Sequence, residues 1–379
     1  MTRSSHWGCV GTVLLTCALV LAACSGGEAT ETTDGGTETT LSATSTTEVA
    51  TGTSVVEAAE VNLAITYWNS TVNAFQEMAF GAEGAAATTP GVNLVSSAPS
   101  VDDPAALAQM FESATETSPD GVVLQALAAD PFLRPVSDAT AGGIPVIAID
   151  APPPEGAGVE LWITNDNVQI GRDMIDELVK HIPEGTTGDV VIGNSGPDVP
   201  PLFLRVEGMV ARLGELRPEL TIIGPLSTEG ATGTAAEIFQ AWQGIVQANP
   251  DAVAYLAPDN NGGQALGLIS EQTGKKMLIG GADLEPDALN KVASGSITFL
   301  ASPEHWLKGY IAIKLLADHA QAGTPIPAGI WDSGHLIVNA DNVDEIIARQ
   351  ADNESRTTAL APVGDAQIAD PSGYLTPPG

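Results

Sequence analysis

Side chains able to recognise a ligand stand directly behind short apolar runs in this chain. Tyr67, Trp68 and Asn69 follow the run at 61–66, Asp150 follows 144–149, Asp259, Asn260 and Asn261 follow 252–256, and Asp283 follows 277–279. Where such a run is a strand of an open parallel sheet, its carboxyl end is the edge at which loops and helix amino termini converge. These groups would then meet around one cleft. Carboxylates, amides and aromatic rings suit noncovalent capture through paired hydrogen bonds and ring packing. Arrangements that break bonds are missing. The sequence contains no Gly-x-Ser-x-Gly elbow, no phosphate-cradling loop and no His-Glu-x-x-His. His6, His181, His305, His319 and His335 have no ligand spacing, and Cys9, Cys17 and Cys24 all lie near the amino terminus. The rest of the chain therefore has no thiol for a disulfide, a zinc site or a nucleophile, and neither a cofactor nor a metal is expected. With 47 Asp and Glu, paired carboxylates are inevitable and say nothing about catalysis.

Those 47 acids face 14 Lys and Arg, a formal charge of −33, which excludes electrostatic grip on nucleic acid or anionic lipid headgroups. The 379 residues, 44% of them hydrophobic, suffice for two domains. Near the start, Arg3 precedes an apolar run at 10–23. At ~1.5 Å per residue this run reaches about 21 Å, short of a bilayer core of about 30 Å, and reads as a secretory signal within residues 1–23. It ends Leu21-Ala22-Ala23-Cys24, which resembles the lipobox of bacterial lipoproteins, so acylation of Cys24 is expected. An ordinary signal peptide with a chance cysteine is the alternative. Residues 24–60 are rich in Thr, Glu, Gly, Ser, Ala and Val without an aromatic residue, a composition that cannot offset its ordering entropy. A tether with a reach of ~30–35 Å is the expectation.

The elements that would position the candidate groups alternate strictly. Strands are predicted at 61–66, 92–95, 121–124, 144–149 and 159–164, with helices at 73–87, 103–117 and 131–141 between them. A second series follows, with strands at 190–193, 220–223, 252–256, 277–279, 297–300 and 334–338. Its helices are at 168–180, 201–216, 235–248, 263–273, 286–293, 306–320 and 343–348. Strands apolar on both faces, alternating with helices, predict two α/β lobes with doubly wound parallel sheets. Residues 349–379, rich in Ala, Asp and Pro, read as a loosely ordered tail.

Particular strings add a resemblance. They are Gly142-Gly143-Ile144-Pro145-Val146-Ile147-Ala148-Ile149-Asp150, Ile163-Thr164-Asn165-Asp166-Asn167 with Gly171, and Arg205-Val206-Glu207-Gly208-Met209. Asn261-Gly262-Gly263-Gln264-Ala265-Leu266-Gly267 and Ile279-Gly280-Gly281-Ala282-Asp283 follow. In this order, over about 61–345, the chain resembles the type I periplasmic binding proteins, in the sugar-binding branch that serves ABC importers. The resemblance implies two lobes joined by a three-crossover hinge, with 61–163 plus 303–328 in one and 164–302 plus 329–348 in the other. It implies a lipid-anchored receptor outside the cytoplasmic membrane that closes on a small polyhydroxylated molecule and hands it to an ABC permease. A monomer attached to the membrane through its lipid alone is expected. Two alternatives are a receptor presenting a sugar signal to a membrane sensor and a secreted α/β hydrolase using Asp150 or Asp283. A DNA-binding repressor of this fold is excluded by the export signal and the lack of a basic helix-turn-helix.

The resemblance also assigns candidate contacts. Asp150 would accept from two adjacent hydroxyls, or else serve as a turn or capping residue. Arg205 would contact ligand, or form a surface ion pair. Asn261 and Asp283 match hydrogen-bonding positions, with turn formation as the alternative. Trp68 and Phe75 would stack on sugar C–H faces or pack in the core. Asn69 and Asn73 belong to the same loop, and for Asn73, beside the helix start, capping the helix is the reading preferred over ligand contact. Two departures stand out. Ala151 occupies the position where the resemblance implies an arginine in ribose-type relatives, and the glutamine it implies around Pro303 is missing, so that contact is lost or moved to Glu304, His305 or Trp306. Trp162 and Phe203 are weaker aromatic candidates.

Overall fold

The computed structural model of the chain describes residues 59–228 and 233–378. The predicted signal segment, Cys24 and nearly all of the tether lie outside the described residues. Two sheets divide the strands. The first has the order β13-β11-β5-β4-β3-β1-β2, comprising β1 (Val61–Thr66), β2 (Val92–Ser97), β3 (Gly121–Leu124), β4 (Val146–Ile149), β5 (Leu161–Thr164), β11 (Gly329–Asp332) and β13 (Leu375–Thr376). The second, β12-β10-β9-β8-β6-β7, comprises β6 (Gly188–Asn194), β7 (Leu220–Ser227), β8 (Ala254–Leu256), β9 (Ile279–Ala282), β10 (Phe299–Ser302) and β12 (Leu336–Asn339). All pairings are parallel except β11 with β13 and β10 with β12. β3 and β4 are buried at every position because helices cover both faces, whereas β2 alternates with solvent at the sheet edge.

One helix pair in each lobe is drawn together by glycines. In the first lobe α1 (Asn73–Thr88) crosses α9 (His305–Ala322). A Cβ on Gly81 would lie 1.9 Å from the Trp306 carbonyl oxygen, and one on Gly309 1.8 Å from that of Met78. In the second lobe α4 (Asn167–Lys180) crosses α5 (Pro200–Leu216) in the same way. There a Cβ on Gly171 would come within 2.0 Å of the Arg205 carbonyl oxygen. Backbone meets backbone without intervening side chains, which fixes the starts of α5 and α9.

The chain passes between the lobes after β5, after β10 and after β11, as the three-crossover expectation requires, and then a fourth time. β11 belongs to the first sheet, paired with β5, so 329–332 leaves the lobe to which the sequence reading gave it. α10 (Val343–Arg349) packs in the second lobe, and residues 350–352 then lead back to α11 (Asn353–Ala369), which lies on α1 and α9. The supposed loose tail is thus a folded strap. Asp352 caps α11 by accepting from the Ser355 N–H at 2.7 Å, Leu360 joins the core, and β13 extends the first sheet. The sequence disguised this because the buried face of α11 comprises Arg356, Leu360, Gly364 and Gln367. Its spacing is helical, but only one of those residues is a large apolar one.

Candidate functional site

β4 and β9 end in the same device. The next residue, Asp150 or Asp283, has φ of 70° or 68°, and its backbone N–H donates at 2.8 Å to the neighbouring strand, at Ile163 or Ala301. Left-handed backbone is unfavourable for residues with a Cβ, although Asp tolerates it better than most. Such outliers gather at working sites. Each lobe thereby offers one buried carboxylate to a cleft of about 820 Å³ between them. From the first lobe Asn69, Phe75, Leu127 and Asp150 line it, and from the second Leu202, Arg205, Asn261 and Asp283 do so. His305, at the start of α9, completes the floor.

A run of contacts links the two carboxylates. Lys308 Nζ lies 2.6 Å from Asp150 Oδ1 and 3.1 Å from His305 Nδ1, and His305 Nε2 lies 3.1 Å from Asp283 Oδ1. Gln125 Nε2 reaches Asp150 Oδ2 at 3.4 Å. Burial works against the ionised Asp150, but the Lys308 ammonium and the nearby His305 outweigh it and hold the carboxyl down at about 2. Asp283 is also held below its ordinary value despite burial, through the His305 hydrogen bond and the charge of Arg205. Burial, then the adjacent ammonium, pushes the His305 imidazole down, which keeps it neutral at neutral pH.

Arg205 is itself buried and aimed by two contacts. Its Nε donates to Asn167 Oδ1 at 2.9 Å and its Nη1 to the Pro258 carbonyl at 2.8 Å. It is not the surface ion pair that the sequence left open. Asp259 serves the backbone, accepting from Gly262 N–H at 2.7 Å at the start of α7 (Asn260–Thr273) and from Ser195 N–H at 3.3 Å. Asn69 accepts from Thr71 and donates to Asp102 at 2.7 Å.

Seven of the eleven proposed contact residues therefore share the cleft: Asn69, Phe75, Asp150, Arg205, Asn261, Asp283 and His305. Four do not line it. Trp68 is 7% exposed and packs with Phe111, Leu124 and Phe132, its backbone tied to Gln125. Asn73 begins α1 without capping it and reaches across to the Leu284 carbonyl at 3.4 Å, so it bridges the lobes. Glu304 turns away to Ser302 Oγ and makes a two-pronged pair with Arg349 at 2.9 and 3.0 Å. Trp306 is 1% exposed, stacked on Tyr310 and bonded to Asn353 of the strap. Successive residues on a helix point about 100° apart, so one member of the Glu304, His305, Trp306 triplet can face the cleft. Trp162 donates to the Asp150 carbonyl beneath the site, and Phe203 is 55% exposed. Sequence reasoning missed Lys308, Gln125 and Asn167. The available signal for Lys308 was a cation inside the apolar opening of a helix, one turn after His305.

A second cavity, about 700 Å³, opens at the opposite, amino-terminal edge of the second sheet, near Lys180 and Lys276, and contains none of the candidate residues. Among the described residues, no helix is long and apolar enough to cross a membrane and no cluster of His, Cys, Asp and Glu could hold a metal.

Solved structures share this architecture. A carbohydrate transporter solute-binding protein from Agrobacterium radiobacter, in complex with D-arabinose, is 25% identical with a TM-score of 0.66, covering 76% of this chain and 98% of its own. An ABC transporter solute-binding protein from Agrobacterium vitis, bound to α-D-tagatopyranose, is 21% identical with a TM-score of 0.67, over 76% of this chain and 98% of its own. The arabinose-binding protein AraP from Geobacillus stearothermophilus is 22% identical with a TM-score of 0.66, over 76% and 99%. No curated protein sequence matches. The sequence profile of the periplasmic binding protein domain matches residues 64–325. With that match, two hinged lobes and a cleft built for hydrogen bonding, the chain belongs to the periplasmic binding protein family, as a solute-binding protein and not an enzyme.

Proposed function

We propose that this protein is the receptor of an ABC importer for a small polyhydroxylated ligand, a sugar or sugar-like molecule, which it captures by hinge closure and delivers unchanged to a membrane permease. The observation that carries the reading is the matched pair Asp150 and Asp283, one buried acceptor from each lobe, facing a single cleft with Arg205. Carboxylates accept from adjacent hydroxyls, the guanidinium donates to ring or hydroxyl oxygens, and Phe75 with Leu127 and Leu202 offers apolar surface to C–H faces. Closure brings both lobes onto the ligand and expels water, so affinity needs no chemistry on the sugar. The D-arabinose and α-D-tagatopyranose bound by structural neighbours support this ligand class. Lipid attachment at Cys24 with the tether at 24–60 would keep the receptor at the outer face of the cytoplasmic membrane, as a monomer.

Titration calorimetry against D-arabinose, D-ribose, D-galactose, D-glucose, myo-inositol and adenosine tests the ligand class. Saturable heat with at least one of the sugars or the polyol is expected, and silence with all of them rejects the sugar reading. Labelling of cells with a radioactive fatty acid tests the anchor, which is rejected if label persists in Cys24→Ser.

A further inference from the structure

The residue after the first-lobe aspartate is Ala151, which has no charge to offer. The cation beside Asp150 comes instead from another element. Lys308 lies on α9, one helical turn after His305, so both side chains share a face beneath the cleft. The ammonium is wholly buried and does not line the cleft, so it acts on ligand only through its neighbours.

Its hydrogen bonds have a fixed direction. An ammonium only donates, so His305 Nδ1, 3.1 Å from Nζ, must accept. The ring proton then resides on Nε2 and is donated to Asp283 Oδ1 at 3.1 Å, while a second ammonium hydrogen goes to Asp150 Oδ1 at 2.6 Å. The order Asp283, His305, Lys308, Asp150 thus runs from the second lobe to the first and engages only Oδ1 of each carboxylate, Asp150 Oδ2 having the longer 3.4 Å contact with Gln125 Nε2. We propose that Lys308 is a positioning residue for ligand capture: through His305 it couples the two lobes' carboxylates and fixes both as hydrogen-bond acceptors when the lobes meet. The inference rests on the polyol reading of the cleft.

A second proton on the ring would break this order, because an Nδ1–H would then face the ammonium at 3.1 Å. The charged groups facing the ring are Lys308 from its own helix, Asp150 from the end of β4 and Asp283 from the end of β9, with Arg205 of α5 acting on the carboxylates. Burial and Lys308 oppose ring protonation and the two carboxylates favour it, with a net push downward. Removing Lys308 shifts that balance toward the charged ring.

The test is calorimetry from pH 5 to 8 with D-arabinose, D-ribose, D-galactose, D-glucose and myo-inositol, on wild type, Lys308→Met and His305→Gln, each confirmed folded by circular dichroism. For a sugar that wild type binds, affinity is expected to hold level near neutrality and fall on the acid side. Lys308→Met weakens binding about tenfold or more and moves the acid fall to higher pH, while His305→Gln removes that fall. A Lys308→Met protein with wild-type affinity and pH profile overturns the inference alone. Should that variant not fold, an unchanged acid fall in His305→Gln overturns it equally. Failure of wild type to bind any of the five overturns the polyol reading, and the inference with it.

Discussion

Asp150 combines an ion pair, a left-handed backbone and a place at the cleft, and each has a measurable consequence. On the proposed reading of Asp150 and Arg205 as charged hydrogen-bond partners of ligand, Asp150→Ala and Arg205→Ala are each expected to cost ~1.5–3 kcal/mol of binding, read by calorimetry. Trp306→Phe, buried away from the cleft, is expected to leave affinity at the wild-type level. Stability should also follow pH through named groups. Because Asp150 is held at about 2 when folded and is near 3.9 when unfolded, its contribution is present above pH 4 and disappears as pH falls toward 2. Glu77 behaves oppositely. Burial in α1, with Oε1 lacking a partner, raises it from 4.5 to about 8. Between those values the unfolded chain ionises while the folded one stays protonated, so stability falls as pH rises through the window. In Glu77→Gln the difference in melting temperature between pH 5 and pH 8 is expected to shrink. The acceptors Asp150 and Asp283 were legible because they directly follow apolar strands. Trp68 and Trp306 were not, because an aromatic in a loop or at a helix start has the same sequence signature whether it faces ligand or core.

Helix positions depend on glycine where side chains would keep backbones apart. Gly309→Ala puts a Cβ 1.8 Å from the Met78 carbonyl oxygen and must spread α1 from α9. A loss of about 1–3 kcal/mol in denaturant unfolding is expected, with weaker ligand binding because His305 and Lys308 move with α9. Gly274→Ala, at a left-handed helix end with open space around it, is the contrasting variant, where backbone strain alone acts. Most strands and helices could be read in advance, since apolar runs and 3.6-residue spacing agree with their burial. β11 escaped because Gly-Ile-Trp-Asp shows little pattern, and it is placed in the first sheet by its pairing to β5, far earlier in the chain. α11 escaped because its buried face hydrogen-bonds as much as it packs: Gln367 accepts from Trp331 Nε1 and donates to the Ser333 carbonyl.

Between the lobes, one amide gathers three crossings. Asn165 Nδ2 reaches the carbonyl oxygens of Pro303 and Gly334 and the Ser333 hydroxyl, at 3.0, 2.7 and 3.1 Å, so the three connecting segments are tied to one another. The fourth crossing adds a strap that covers Trp306, Tyr310 and Trp331. Truncation after residue 350 is expected to destabilise the protein by at least about 3 kcal/mol in thermal or denaturant unfolding, since it uncovers large aromatic surface. Two lobes and their three shared crossings were legible from alternation and resemblance, whereas the fourth depends on long-range contacts that leave no local trace. Motion about this hinge is what the proposed function requires. Small-angle X-ray scattering of the protein, empty and saturated with the sugar that gives the largest calorimetric heat, measures it. A smaller radius of gyration in the saturated sample is expected, and superimposable profiles at full saturation would contradict capture by closure.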